Sequence, residues 1–144
     1  MNKTLRISFG IGLTALLAGC ASLDNRPPEE IVGERALKQA RALMGRDFDE
    51  AVSYTSPAYQ NGPRSWTYPA DHSGAMYWRD VQLRWVRCDE GPDPDRCTAR
   101  IWIFAEFPQV AIRPGMTSGS SADVPISWDK TWIKIDGQWY QYLR

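Results

Sequence analysis

Apolar and polar positions along this chain follow two periods, one helical and then one extended. Between Glu29 and Met44, the residues Val32, Ala36, Leu37, Ala40, Leu43 and Met44 fall in one sector of about 140° at 100° per residue. Glu34, Arg35, Lys38 and Arg41 lie mostly outside that sector, so an amphipathic helix is expected. Pro27 and Pro28 suit its entry, and Glu29 and Glu30 complement its N-terminal dipole. Gly45 is placed to end it. Asp47 followed by Glu50 forms a capping box, which predicts a second short helix over 48–54. Pro57 disfavours helix at Ser56, so a new turn starts there. The rest of 56–74 is rich in Ser, Pro, Gly and Asn and predicts one helical turn followed by loop.

From Met76 onward the period shortens. Segments 77–88 and 97–110 are rich in Trp, Val, Ile and Phe and are separated by a turn-forming run of Asp, Gly and Pro. A β-hairpin follows, with Cys88 and Cys97 at the two ends of its loop. Pairing those cysteines sets Trp85 opposite Arg100, Leu83 opposite Trp102, Val81 opposite Phe104 and Arg79 opposite Glu106. Ile101, Ile103 and Ala105 make the other face apolar too, as in a central strand. Residues 114–123 predict a small-polar loop. Strands over 124–135 and 138–143 then flank Asp136-Gly137, a strong two-residue hairpin signal. That turn sets Lys134 opposite Trp139 and Ile133 opposite Tyr140.

The N-terminal pattern is of another kind. Lys3 and Arg6 precede an apolar run over 7–18, too short to span a bilayer and the right size for the core of a signal peptide. It ends in Leu17-Ala18-Gly19-Cys20, which resembles the bacterial lipobox. The resemblance implies cleavage before Cys20 and acylation of its thiol and new amine, and several acyl chains anchor a protein stably. Ala21 resembles the residue found in lipoproteins sent to the outer membrane. The expected organisation is a signal peptide over 1–19, a lipidated Cys20 with a short tether over 20–28, and one domain over 29–144. Residues 21–26 reach about 20 Å when extended, so the domain is expected close to the membrane.

Composition narrows the chemistry. The chain of 144 residues suits one domain with a real core. Its 17 basic and 17 acidic side chains give no electrostatic reason to expect nucleic acid. With Cys20 assigned to lipid and Cys88 and Cys97 to each other, one His is too little for a four-ligand zinc site, and no metal or cofactor is expected. In an oxidising compartment Cys88 and Cys97 are expected to form a disulfide. No catalytic residue is assigned. His72 sits beside Asp71, but in a Pro/Gly/Ser segment that suggests a solvated turn, and Asp49 and Glu50 are explained by capping. Seven Trp are present, and sheet packing accounts for most of them. If a pocket or partner face exists, the strand residues Trp78, Trp102 and Trp132 are its candidates. Trp85 is expected to stack with Arg100, and Trp139 with Lys134.

Helix 34–44, the capped segment 47–59 with its Ser-Pro-x-Tyr turn, and the closing 132–140 stretch together resemble the nuclear transport factor 2-like (cystatin-like α+β cone) superfamily. More narrowly, the chain is similar to small bacterial lipoproteins of that fold. The resemblance implies an α+β domain with N-terminal helices packed on a curved antiparallel sheet and a pocket at the open end. That superfamily holds both enzymes and binding modules, so fold alone licenses no activity. The expectation is an outer-membrane lipoprotein facing the periplasm and acting as a non-catalytic binding module. It would take a small hydrophobic ligand or an envelope protein partner. The alternative is a small acid–base enzyme, and a homodimer through the sheet is a further expectation.

Overall fold

The computed structural model describes residues 25–108, 110–114, 116–118 and 125–143. The expected signal segment and Cys20 lie outside the described residues. Among the described residues no helix is long and apolar enough to cross a membrane.

Helix α1 spans Pro28–Met44 and buries Val32, Ala36, Ala40 and Leu43, as its periodicity predicts. It also buries Gln39, which the apolar pattern passes over. On its outer side Glu34 accepts hydrogen bonds of 2.6 Å from Lys38 and from Arg26. These hold the Glu34 carboxyl at about 2. The helix ends at Met44 with Gly45 as its cap, as expected, but the left-handed residue comes one position later. Gly45 keeps a right-handed φ of −78°, and Arg46 takes the left-handed position at 61°. Arg46 N–H then donates to Leu43 and Asp47 N–H to Ala42, the bond pattern of a Schellman end.

Helix α2, Phe48–Ser53, begins as predicted, with the Asp47 side chain accepting from Glu50 N–H at 3.0 Å. The return half of the box is absent, because Asp47 N–H is already spent on Ala42. The Glu50 carboxylate instead accepts from Tyr54 Oη at 2.6 Å. Segment 56–74 is more helical than expected. It holds α3, Pro57–Gln60, a 3₁₀ turn over Ser65–Thr67, α4, Tyr68–Asp71, and the start of a second 3₁₀ turn over Ser73–Tyr77. Pro57 and Pro69 sit at the first turns of α3 and α4, where a missing N–H costs nothing. Composition alone made them resemble loop.

Strands β1, Trp78–Cys88, and β2, Arg96–Ala105, form the predicted hairpin. A short hairpin follows, β3 over Val110–Arg113 with β4 over Met116–Ser118, so strand structure enters the segment expected to be loop. Strands β5, Ile126–Ile135, and β6, Gln138–Gln141, complete an antiparallel sheet of order β1-β2-β5-β6. The β5–β6 register is as predicted, with Ile133 opposite Tyr140 and Lys134 opposite Trp139.

In the first hairpin Cys88 opposes Cys97, the two are joined by a disulfide, and Trp85 opposes Arg100. Beyond Trp85 the register slips. Arg84 bulges, so Leu83 faces Ile101 rather than Trp102, and Val81 faces Ile103 rather than Phe104. A second irregularity lies between Trp78 and Asp80. Nothing in the run of apolar residues marks an extra residue there. Arg79 still reaches Glu106, at 3.2 Å.

The sheet curls with one face against α1. Cys97, Ala99, Ile101, Ile103 and Ala105 pack there with Val32, Ala36, Ala40, Val81, Trp132 and Trp139. A second cluster of Leu43, Ala51, Tyr68 and Ala75 seals the helical end. The two halves are stitched by backbone bonds. Gln141 N–H donates to Tyr54 at 2.8 Å, and Ser56 N–H donates to Gln141 at 3.1 Å.

Candidate functional site

Side chains alternate across a strand, so β5 sends Trp128, Lys130 and Trp132 to the face turned toward α1. Lys130 Nζ stands 4.2 Å from the centre of the Trp128 ring. Trp128 meets Trp78 edge-on at 5.3 Å and His72 edge-on at 6.3 Å. His72 in turn lies 4.1 Å from the Tyr68 ring. Trp78, Trp128, His72 and Lys130 are all half-buried and form a partly open aromatic shelf.

Two of these groups carry altered acidities. Burial lowers the Lys130 ammonium to about 8. Burial likewise lowers His72, with Lys130 adding to the effect and the Tyr68 carbonyl opposing it. His72 Nδ1 lies 2.9 Å from that carbonyl, which can only accept, so Nδ1 carries the hydrogen and Nε2 is left as the bare nitrogen. The expected solvated turn is therefore corrected: His72 packs on rings. Asp71 is engaged elsewhere, accepting from Thr67 at 2.9 Å.

Tyr68 links the shelf to a buried polar network. Gln39 Nε2 lies 2.6 Å from Gln141 Oε1, 3.2 Å from Tyr68 Oη and 3.2 Å from the Ala51 carbonyl. Burial is the chief reason that the Tyr68 hydroxyl is driven far above its ordinary value. Among the described residues, Gln141 Nε2 and Trp132 Nε1 in this interior meet no hydrogen-bond partner. Gln141 and Trp132 face each other across the β5–β6 ladder.

The three Trp singled out from the sequence are not brought together. Trp78 stands on the shelf. Trp132 is fully enclosed in the core. Trp102 lies on the opposite face of the sheet, with the Arg84 guanidinium 4.7 Å from its ring. Trp85 stacks with Arg100 at 4.7 Å, as expected, and with Arg87 at the same distance. Lys134 does not serve Trp139; it donates to Asp93 at 2.6 Å, and Trp139 is buried. On the same outer face Arg96, Thr131, Ile133 and Tyr142 line a half-open hollow of about 510 Å³.

Sequence reasoning missed Trp128, Lys130, Gln39 and Gln141. For Lys130 the signal was available, because it shares strand parity with Trp128 and Trp132 and so places a cation on the core face. His72 and Lys130 are brought together only by the tertiary fold.

No family model matches the chain, and no curated protein matches it in sequence. Among solved structures it is similar to a crystal structure from Campylobacter jejuni, provisionally described as an NTF2-like transpeptidase. The TM-score is 0.51 at 14% identity, over 77% of this chain and 96% of that one. A likeness at this identity speaks to the path of the backbone and not to chemistry. With its helices packed on one face of a curled four-stranded antiparallel sheet, the chain has the NTF2-like α+β cone fold.

Proposed function

We propose that this protein is a lipid-anchored envelope protein, held at the periplasmic face of the outer membrane, whose cone acts as a non-catalytic binding module. The reading favours a small ligand with an apolar body over an envelope protein partner. The observation that carries it is the Trp78–Trp128 pair, half-buried at 5.3 Å on the face turned toward α1. Aromatic walls of this kind bind through area and shape, with few polar groups fixing orientation. Among the described residues, the strand positions turned to that face carry no Asp or Glu that could move a proton. The lipobox-like Leu17-Ala18-Gly19-Cys20 supports the anchor.

One observation favours the acid–base alternative. The fixed Nδ1–H of His72 leaves Nε2 free to accept a proton. His72→Phe separates the two readings, because it keeps a ring against Tyr68 and Trp128 and removes only the basic nitrogen. A binding module keeps its cellular phenotype, whereas an enzyme built on His72 loses it at normal protein level.

The binding reading is tested with N-phenyl-1-naphthylamine, a neutral aryl probe, on the full chain. Energy transfer from Trp reports probe at the protein rather than in lipid. Saturable transfer is expected, weakened at least tenfold by Trp78→Ala and little changed by Trp85→Ala. No saturable transfer in the wild type would overturn the reading. Cys20→Ser should release the protein from membranes in fractionation, and retention would refute the anchor.

A further inference from the structure

Lys130 stands apart from the other cations of the sheet, which are either paired or, like Arg84, Arg87 and Arg96, exposed. Arg79 meets Glu106, Arg100 clasps Asp129 through two nitrogens, and Lys134 meets Asp93. Lys130 is more buried than an exposed surface lysine, yet among the described residues it meets no carboxylate and no hydrogen-bond acceptor. Its neighbour across the β2–β5 ladder is Ala99, which offers only a methyl group. The nearby His72 presents either a bare Nε2 or, when protonated, a second positive charge. Asp71 is turned to Thr67.

Two further donors lie along the same face. Trp132 Nε1 and Gln141 Nε2 belong to fully buried residues and meet no acceptor among the described residues. A buried N–H without a partner costs about 1–3 kcal/mol, so native interiors rarely keep one. Here two stand opposite each other on adjacent strands, and the ammonium lies two residues along from Trp132. A bridging water would serve the two N–H groups but would leave the charge unanswered. A head group that is anionic and made only of acceptor oxygens answers that charge.

We propose that the Trp78–Trp128 shelf takes small amphiphiles with an acceptor-only anionic head, a carboxylate above all, held by Lys130. The proposal rests on the binding reading above and names its ligand class. The apolar body lies against the Trp rings, and the head displaces water from the ammonium. In that half-buried setting a charge-assisted bond is stronger than at an open surface.

The test compares two probes that share an aryl amine body, 1-anilinonaphthalene-8-sulfonate, which carries an acceptor-only anion, and neutral N-phenyl-1-naphthylamine. On the full chain the anionic probe should bind at least tenfold more tightly. Lys130→Met should bring the two affinities within about twofold of each other, and Lys130→Arg should keep the preference. Equal affinities in the wild type would overturn anion selection and leave the binding module standing. A preference that survives Lys130→Met would assign the anion to another group and overturn the role of Lys130. If neither probe binds, both the proposal and the reading beneath it fail.

Discussion

The two faces of β2 are built from one strand and reach different ends. Toward α1 it presents Cys97, Ala99, Ile101, Ile103 and Ala105, all buried. Away from α1 it presents Thr98, Arg100, Trp102 and Phe104, all half-exposed. The outer face is chemically complete. Arg100 is paired to Asp129 through both nitrogens, and the rings of Trp85 and Trp102 are each covered by guanidinium groups. The inner face is better packed, yet among the described residues it leaves a half-buried lysine without an anion and two N–H groups without acceptors. Tight packing and polar satisfaction are separate achievements, and this sheet divides them between its faces.

The contrast is broken most severely at Trp132. It is the largest fully buried side chain, set against the strand core of β2. Trp132→Ala should cost about 3–5 kcal/mol, seen in denaturant unfolding as a lowered midpoint or as loss of the folded state. Trp132→Phe refines the point by keeping a ring and deleting only the orphaned N–H. It should cost far less than Trp132→Ala in the unliganded protein, because no hydrogen bond is lost. If Phe costs as much as Ala, the indole N–H has an acceptor and the inner face is not incomplete.

How far the sequence foretold these faces depends on the range of the interaction. Helix α1, the Asp47 cap and the Asp136-Gly137 hairpin were legible because each is fixed by residues within a few positions. The bulge at Arg84 was not, because the strand has no Gly there and its residues suit either register. It turned Leu83 and Val81 onto new partners while the anchored Cys88–Cys97 end stayed in place. Segment 56–74 misled because Ser56, Pro57 and Pro69 serve as helix starts in a stretch whose composition resembles loop. The shelf was half legible. Trp78 was named, but its partner Trp128 and the Lys130 charge depend on a sheet that brings β5 beside residues from α4 and β1. Gln39 fell outside the apolar stripe, and its bonds to Gln141, Tyr68 and Ala51 explain its burial.

Lys130 gives the second test of the contrast, through its linkage to pH. Its folded value is lowered to about 8 from an ordinary 10.5, because burial penalises the ammonium. The unfolded chain therefore holds that proton more tightly, and the folded state gains stability as pH rises from 8 toward 10.5. The Tyr54 hydroxyl, raised to about 12, works the other way, but only from near pH 10 upward, where unfolded tyrosines ionise. Between pH 8 and 9.5 thermal unfolding should show the wild type gaining stability while Lys130→Met stays flat. At pH 7 Lys130→Met should be the more stable by roughly 1 kcal/mol, a figure discounted for the solvent that still reaches the group. A Lys130→Met protein less stable than wild type at pH 7 would mean that the ammonium is already paired.

The smallest effect is expected on the outer face, and it decides whether that face is free. Arg84 lies 4.7 Å from the Trp102 ring and stacks across an exposed surface. An exposed contact of this kind contributes about 0.5–1 kcal/mol, part of which is packing of the Arg stem. Arg84→Ala should therefore shift the unfolding free energy by no more than that, independent of protein concentration. The same substitution reads out the expected homodimer. If two copies met through this face, Arg84 and Trp102 would be desolvated at the interface. The loss would then exceed 2 kcal/mol and grow on dilution, as truncation of a central Arg does at protein interfaces. A small, concentration-independent loss places the incompleteness of this protein on its inner face alone, where Lys130 waits for an anion.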